Sequence, residues 1–451
     1  MFRRSIVNDL ILWKDKEDRK PLILRGVRQV GKTTVVEQFA NEFDTFLKLN
    51  LEMSGDLALM ESTDDLEVLV EQIHFYCKKQ VKKGTCLLFI DEIQFSPKAT
   101  ALLRYFYEKM KHIHVIAAGS LLENAMASKQ IAFPVGRIEY KMLRPIHFME
   151  FLNAMNEQFD LDVLHAFKAD LIHDRMMQHF NKFITVGSMP AVLKHYAKHR
   201  DLLALSSIYE SLIKSYQDDV EKYAETPLKA AIIRHLIQTC WFYVSEAVTF
   251  ENFASSNFRS KDVSEAFRSL EKAMLLELIL PVMSTQLPLM ADYRKKPKLF
   301  CLDTGLINFM VKIQEEVLLS KNIEDVWRGK IGEQIVAQEL FANNYSMLDL
   351  KHFWRRNKQG SEAEVDFVFP YKNKIIPIEV KSGVIGKLKS LHAFMDACPH
   401  DWAVRVWSKQ FSIESVLTPA GKSFKLINVP FYYVCKLKEL LAKLEKEGKI
   451  S

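Results

Sequence analysis

The sequence has no closely spaced pair of cysteines. Six cysteines are scattered along its 451 residues, and none forms a C-x-x-C motif with another. They are Cys77, Cys86, Cys240, Cys301, Cys398 and Cys435. Because a zinc site or a disulfide framework requires clustered thiols, we expect neither. The scattered cysteines indicate ordinary buried thiols in a reducing compartment, and we expect the protein to be cytoplasmic.

The sequence also has no long apolar run. A membrane-spanning helix needs about 20 consecutive apolar residues, and no stretch approaches that length. Asn8 and Asp9 interrupt the apolar segment near the N-terminus, so we expect no signal peptide. No internal repeat or low-complexity segment is visible. We therefore expect no membrane among the partners of this protein.

Neither sign of charge dominates the composition. The chain has 62 Lys and Arg residues against 56 Asp and Glu residues, a net charge of +6. This mild excess is compatible with a nucleic-acid partner but does not establish one. Hydrophobic residues make up 48% and charged residues 26%, which is typical of globular proteins with packed cores. The length predicts two to four domains.

Residues 26–33 match the phosphate-loop pattern G-x-x-x-x-G-K-[ST]. A short apolar run at residues 22–24 predicts a buried strand before the loop, and residues 34–40 predict a helix after it. We expect positive φ angles at both glycines, so that successive N–H groups point at one anion. The predicted nucleotide-binding residues are Gly26, Val27, Arg28, Gln29, Val30, Gly31, Lys32, Thr33 and Thr34.

Within this loop, Lys32 is expected to reach the β- and γ-phosphates of ATP, and the Thr33 hydroxyl to bind Mg²⁺. The alternative is a chance glycine turn. Two acids that follow the apolar strand at residues 85–90 are expected to complete this site. Asp91 would hold Mg²⁺, and Glu92 would activate the attacking water. An acidic strand end that faces solvent is the alternative there.

Two further residues are candidates for sensing or stabilising the phosphates. Ser120 ends the apolar strand at residues 114–119, where NTPases with an extra strand place a polar γ-phosphate sensor; it would equally serve as a helix N-cap. Arg137 begins a predicted fifth strand and is a candidate arginine finger, in cis or from a neighbouring subunit. A surface salt bridge is the alternative for Arg137, and Arg28 competes for the same role.

Several segments, in this order and spacing, resemble a large prokaryotic family of predicted ATPases that join an AAA-type domain to a C-terminal region of undefined function. The resemblance covers nearly the whole chain and implies ATP and Mg²⁺ as cofactors. One departure is Gly187-Ser188, where the family tends to have two glycines. The segments are GVRQVGKTT, LLFIDEIQ, AAGS, FPVGRIEY, GSMP, KLFCLDTGL and IPIEVKSG.

The middle of the chain predicts helices over the nucleotide and then a winged-helix pattern. The pattern has a basic helix after residue 260 and two strands, at residues 276–283 and 298–302, that a wing would join. The functional interpretation is DNA contact through this helix and the basic wing at residues 294–296. The alternative is a module that only packs against the ATPase domain or against partners.

The C-terminal region predicts a β-hairpin with acidic residues on one face. Asp366 on its first strand would lie close to Glu379 and Lys381 on the second, and Glu333 lies on the preceding helix. This is the metal-site arrangement of restriction-type nucleases, in which carboxylates hold Mg²⁺. The alternatives are an inactive relative of that fold and an amphipathic hairpin that binds nothing.

Together these features predict an α/β protein: a P-loop, AAA-type parallel sheet domain, a helical lid, a winged-helix module and a restriction-nuclease-like α/β domain. The leading hypothesis is an ATPase that acts on DNA through its C-terminal half, as a homo-oligomer if Arg137 acts in trans. The alternatives are a nucleotide-dependent signalling or scaffold protein and an ATP-gated nuclease. The predicted domains are 1–155, 156–225, 226–322 and 323–451.

Overall fold

The structure is a computed structural model, and it describes most of the chain. Ser120 and Lys381, two of the predicted site residues, lie outside the described part. The described residues are 2–79, 84–119, 134–222 (without the side chains of 220–222), 224, 226–320, 326–327, 329–342, 345–346, 351–356, 363–380 and 388–450.

The N-terminal domain contains a five-stranded parallel sheet. The spatial order is β2-β3-β4-β1-β5, so β4 lies between the loop strand and the acidic strand, as predicted. Both faces are buried: Leu22 and Leu24 belong to one apolar cluster and Ile23 to another. Burial on both faces explains why these strands are nearly continuous apolar runs. The strands are β1 (Leu22–Arg25), β2 (Thr45–Asn50), β3 (Cys86–Asp91), β4 (Ile113–Gly119) and β5 (Glu139–Met142).

Helices connect these strands and cover the sheet. Where helix ends are capped, the sequence explains them: Asp65 accepts hydrogen bonds from two amides of the first turn of α4, and the Ser96 hydroxyl accepts one from Ala99 at the start of α5. Pro97 at the first position of α5 has no N–H to satisfy there. The helices are α1 (Ile6–Lys14), α2 (Lys32–Phe39), α3 (Ser54–Glu61), α4 (Leu66–Tyr76) and α5 (Pro97–Lys109).

A set of helices follows the first sheet, as the sequence predicts. The aromatic rings of Phe148 and Phe151 pack against those of Phe180 and Phe183, with ring centroids 4.9–6.2 Å apart. This apolar cluster joins the first and third helices of the set. The helices are α6 (Phe148–Ala154), α7 (Gln158–His165), α8 (His173–Val186), α9 (Pro190–His199) and α10 (Ser206–Lys222).

The C-terminal half is organised around an eight-stranded mixed sheet with the order β12-β13-β11-β10-β9-β8-β6-β7. Its strands are β6 (Leu276–Val282), β7 (Lys298–Cys301), β8 (His352–Arg355), β9 (Glu364–Tyr371), β10 (Lys374–Val380), β11 (Trp402–Trp407), β12 (Ser412–Leu417) and β13 (Ser423–Pro430). Its helices are α11 (Pro227–Thr239), α12 (Ser260–Lys272), α13 (Thr304–Val311), α14 (Gln314–Leu319), α15 (Lys330–Ala342), α16 (Lys389–Ala397) and α17 (Leu437–Lys446).

Strand β6 belongs to two parts of this half. It pairs antiparallel with β7, and its last three residues pair parallel with β8. The sheet therefore crosses the predicted domain boundary at residues 322 and 323. Strands β9 and β10 form the predicted hairpin, in which Phe367 pairs with Ile378, so that Asp366 and Glu379 are neighbours.

The charged C-terminal segment is not a solvated tail. It forms helix α17, which buries Leu437, Leu440, Leu441 and Leu444 on one face. Its lysines and glutamates lie on the other face, so the sequence there combines high charge with a buried apolar stripe. No helix of the described residues is long and apolar enough to span a bilayer.

The junction between α8 and α9 depends on a buried carboxylate. The Asp303 side chain is fully buried and accepts hydrogen bonds from the Ser188 hydroxyl at 2.6 Å and the Leu306 amide at 2.8 Å. Gly187 lies beside it with φ 76° and ψ −168°, a conformation open to glycine only. A Cβ atom at Gly187 would lie 2.6 Å from both Asp303 carboxylate oxygens. Ser188, the departure from the family pattern, thus supplies a hydroxyl to this junction.

We predict that Gly187→Ala lowers the free energy of unfolding by at least about 2 kcal/mol, because backbone strain and steric overlap with Asp303 add. Gly448→Ala is the matched control: its φ is also positive, at 67°, but nothing lies within 4 Å of an added Cβ. That variant should lose only about 1 kcal/mol. Urea unfolding midpoints measure both, and equal losses would contradict the prediction.

Candidate functional site

The phosphate loop lies between the end of β1 and the start of α2. Gly31 caps the helix with φ 96°, as predicted, and the second positive φ of the loop is at Gln29, with 63°. The prediction of a positive φ at Gly26 is wrong. Glycine is required at that position by space, because a Cβ atom would lie 2.7 Å from the Leu143 carbonyl oxygen and 2.8 Å from a methyl group of Val30.

The Lys32 side chain folds back into the loop. Its Nζ atom donates to the carbonyl oxygens of Gly26 at 2.9 Å and Val27 at 3.2 Å. Burial lowers the pKa of Lys32, while the nearby Glu92 and Asp91 carboxylates act in the opposite direction. The ammonium group is thus held at the centre of the loop, beside two acids.

Thr33 and Asp91 form the contact expected of a nucleotide-metal site. The Thr33 hydroxyl donates to the Asp91 carboxylate across 2.6 Å. Asp91 ends β3 at the carboxyl edge of the sheet, directly beside the loop. A hydroxyl and a carboxylate are oxygen ligands of the kind that Mg²⁺ takes, so these residues fit the predicted metal.

Glu92 follows Asp91 in a left-handed backbone conformation, with φ 51°. Such strain in a residue other than glycine is concentrated at functional sites. Burial raises the pKa of Glu92, and a hydrogen bond from the Gln94 amide opposes that shift. The carboxylate lines the same cavity as Lys32 and Thr33. Its higher pKa makes it a better proton acceptor than an exposed glutamate.

These residues open into one cavity of about 870 Å³. The loop and the acid pair form one wall, and the N-terminal segment with helices α6 and α9 forms the other. Helices over the nucleotide were predicted, but no residue of this second wall was predicted as part of the site, because its members are far from the loop in sequence and match no motif. Its residues include Phe2, Asn153, Asn156, Pro190, Lys194 and Lys198.

Arg4 also was missed by sequence reasoning. It is 5% exposed and pairs with Glu150 of α6 at 3.0 Å. Its guanidinium group also donates to the carbonyl oxygens of Val30 at 3.1 Å and Arg144 at 2.7 Å. One buried cation thereby joins the N-terminal segment, the phosphate loop and α6. A single arginine near a chain end gives no sequence signal for such a role.

Arg28 points out of the loop toward helix α10. Its guanidinium group pairs with the Asp219 carboxylate, and the neighbouring Gln29 amide lies 3.4 Å from the Ser215 hydroxyl. Arg28 also lines the cavity, and its side chain is 39% exposed. The structure therefore connects the phosphate loop directly to the predicted lid.

Arg137 is not near the phosphate loop of its own chain. It precedes β5, whose first residue pairs with Leu22 at the start of β1, whereas the loop follows the end of β1. Its Nε atom pairs with the Glu108 carboxylate at 2.9 Å. The observed contact is thus the salt bridge that was the alternative for Arg137, and this arrangement does not support a finger that acts in cis.

Two of the predicted nuclease residues, Glu333 and Asp366, lie together around a lysine. The Lys298 ammonium lies 3.3 Å from Glu333 and 3.6 Å from Asp366. Its third partner is Glu364, at 2.8 Å, a residue that was not predicted as part of the site. Glu379 is buried next to Asp366 on β10.

One other group of potential metal ligands occurs among the described residues. Glu157, Asp160 and His179 have side-chain donor atoms within 4.8 Å of one another. However, the Arg175 guanidinium donates to Asp160 at 2.7 and 3.0 Å. Because this cation already pairs with the buried acid, we interpret the group as an ion-pair network within the helical set.

Comparison with family models divides the chain into three segments. Residues 18–152 match the model of an AAA domain. Residues 177–317 and 328–431 match models of two domains of unknown function, DUF8612 and DUF4143. The N-terminal domain is thus of the AAA ATPase type, in agreement with the parallel sheet and its phosphate loop. A comparison with proteins of curated function gave no match.

Comparison with solved structures gives distant similarities. A Walker-type ATPase of Pyrococcus abyssi aligns over 69% of this chain and 96% of its own, at 13% identity and a TM-score of 0.45. The Thermotoga maritima RuvB Holliday junction branch migration motor aligns over 65% and 93%, at 16% identity and a TM-score of 0.26. The Aeropyrum pernix Orc1 protein in complex with DNA aligns over 68% and 91%, at 13% and 0.26. Because these TM-scores are below 0.5, nothing about this chain is concluded from them.

We predict that substitutions of the two partners of the loop-to-α10 ion pair affect ATP affinity differently. Arg28→Gln leaves the Asp219 carboxylate against the phosphate loop and should weaken ATP binding about five- to tenfold. Asp219→Asn frees the guanidinium and should not weaken it. Titration with a fluorescent ATP analogue at low ionic strength measures both. The control is Asp218→Asn, because Asp218 is the exposed neighbour of Asp219 and pairs with Lys214. An unchanged affinity in Arg28→Gln would contradict the prediction.

Proposed function

We propose that the protein binds ATP with Mg²⁺ at residues 26–34 and hydrolyses it. The observation that carries this proposal is the contact of Thr33 with Asp91, next to Glu92 and Lys32 in one cavity. A bound Mg²⁺ would neutralise the negative charge that develops on the phosphates during hydrolysis. Thr33 and Asp91 are the residues that would hold it.

In this proposal Glu92 accepts the proton of the attacking water. Its raised pKa suits a general base, and it lines the cavity that contains the phosphate loop. Lys32 exchanges its two loop carbonyl partners for phosphate oxygens. The N–H groups of the loop and of the first turn of α2 add the partial positive charge of a helix N-terminus.

Binding of phosphates would also change the charge balance at Arg28. The guanidinium pairs with Asp219 of α10 while it borders the cavity. A γ-phosphate would compete with that carboxylate for the same cation. We infer that hydrolysis of the γ-phosphate changes the pairing of Arg28 with Asp219 and so affects α10. The helical set would then act as a lid that responds to the nucleotide.

We further propose that the C-terminal half acts on DNA. Helices α11 and α12 followed by the β6–β7 hairpin have the order of a winged helix, and basic side chains on this module are exposed, which favours contact with phosphates. The exposed basic residues are Arg259, Lys261, Arg268, Lys272, Arg294, Lys295 and Lys296.

A second candidate is a nucleotide-dependent switch or scaffold whose partner is a protein. The observation that favours it is that Lys298 lies inside the acidic cluster, where a nuclease would hold its metal. A nuclease-like domain without that metal would serve as a binding module. The two candidates differ in one respect that can be measured: only an ATPase acting on DNA should be stimulated by DNA, with an effect that falls as salt rises.

We predict that the protein hydrolyses ATP in Mg²⁺, and that Glu92→Gln lowers the rate about 100-fold or more while ATP still binds, because the general base is lost. Phosphate release with and without DNA measures this. Glu67→Gln, on the exposed face of α4, is the control. Equal rates in Glu92→Gln and the parent protein would contradict the role of Glu92. Hydrolysis rates that DNA does not change in either protein would favour the nucleotide-dependent switch.

We predict that Arg137 matters only across a subunit interface. If it acts in trans, Arg137→Ala and Lys32→Ala are each inactive alone, and their mixture recovers part of the activity because one intact site is assembled from two chains. Phosphate release from the mixture at constant total protein tests this. Full activity of Arg137→Ala alone would instead leave Arg137 as the partner of Glu108 only.

A further inference from the structure

The acidic cluster of the C-terminal half is built from three elements. Glu333 lies in the first turn of α15, and Glu364 and Asp366 lie two residues apart on β9, so their side chains are on the same face of the strand. Lys298 comes from the first position of β7, in the hairpin that precedes both elements. The cluster therefore forms where that hairpin meets the nuclease-like sheet.

Lys298 is buried to an extent that is unusual for a lysine. It is 5% exposed, and lysine is almost never fully buried unless it is paired. Burial alone would lower the pKa of Lys298, but Glu333, Asp366 and Glu364 outweigh it and raise the pKa above the ordinary value. The Phe353 ring lies 5.3 Å from the ammonium nitrogen. The side chain is thus held as a cation.

This geometry does not fit a magnesium site. Mg²⁺ requires oxygen ligands at about 2.0–2.1 Å in near-octahedral order, so its ligands converge closely. In the described residues the three carboxylates do not form a group with donor atoms all within 4.8 Å. The space between them contains the lysine nitrogen, at 2.8–3.6 Å from each. A metal would have to displace a cation that already has three partners.

We propose that the Lys298 ammonium is the resident cation of this cluster, in the place that a catalytic metal takes in restriction-type nucleases. The C-terminal domain then does not cleave nucleic acid with a metal at Glu333, Glu364 and Asp366. Instead the lysine holds β7, α15 and β9 together. This proposal does not depend on ATP hydrolysis, because the cluster shares no residue with the phosphate loop.

The proposal predicts that removal of the lysine creates a metal site. Lys298→Met removes the ammonium group that lies 2.8–3.6 Å from each of the three carboxylates, and acids that lose such a partner can close around a divalent ion, which they attract strongly. The experiment is a calorimetric titration with Mn²⁺ without nucleotide, in full-length protein carrying Asp91→Asn so that the ATP site contributes no metal. Lys298→Met should bind one Mn²⁺ ion at the cluster, at least about tenfold more tightly than the parent does.

Two further variants make the result specific. Lys436→Met removes another buried lysine, which pairs with a single carboxylate, that of Glu439, and it should gain no Mn²⁺ affinity. Lys298→Met combined with Asp366→Asn should lose what Lys298→Met gained. Mn²⁺ should also raise the Tm of Lys298→Met but not that of Lys436→Met, since only the former has carboxylates without a cation.

Three outcomes would overturn the proposal. One is a parent protein that binds Mn²⁺ and loses it with Asp366→Asn. Another is a folded Lys298→Met that binds no Mn²⁺. The third is Mg²⁺-dependent cleavage of DNA by the unmodified protein that Asp366→Asn abolishes. If Lys298→Met does not fold, Lys298→Arg keeps the charge and should behave as the parent, and the first and third measurements still decide the matter.

Discussion

Charges that are buried between parts of this chain must be paired, and the arrangement of its domains depends on those pairs. Arg4 is held by Glu150 and two carbonyl oxygens, and it fixes the phosphate loop against α6. At the same end of α6, both carboxylate oxygens of Glu339 lie 3.2 Å from the Phe148 amide nitrogen. A buried charge that loses its partner costs several kcal/mol. The nucleotide site and the C-terminal half are therefore connected through side chains that tolerate little displacement.

The local parts of the site could be predicted from the sequence, and the distant parts could not. The phosphate loop could be predicted because its residues are adjacent in sequence and form a recognisable motif. Asp91 and Glu92 could be predicted because they directly follow an apolar strand. Arg4 and Lys298 pair with carboxylates that are 35 to 146 residues away along the chain, and nothing near either one in sequence indicates what it contacts. Gly26 is a third case. The sequence indicated that glycine is needed there, but it is needed because Leu143 lies so close and not because of the backbone angle.

The hairpin carrying Asp366 and Glu379 illustrates the same limit for function. Alternation of apolar and acidic residues predicted both strands and their pairing, because a period of two is a local property. Whether such acids hold a metal depends on what else enters the space between them. Here that is a lysine from β7, 66 residues before Glu364 along the chain. A hairpin can thus be predicted correctly while the chemistry at its acidic face depends on a residue from elsewhere in the chain.

The shared strand β6 has a consequence for how this protein can be divided. Its last three residues supply the main-chain partners of β8, so a fragment that starts after β6 would leave β8 as an unprotected edge. That edge includes Phe353 and Trp354, which are buried in the intact chain. Exposed apolar edges pair with other chains and aggregate. Insoluble behaviour of an isolated C-terminal fragment would accordingly reflect a cut through one continuous sheet and not an inability of the domain to fold.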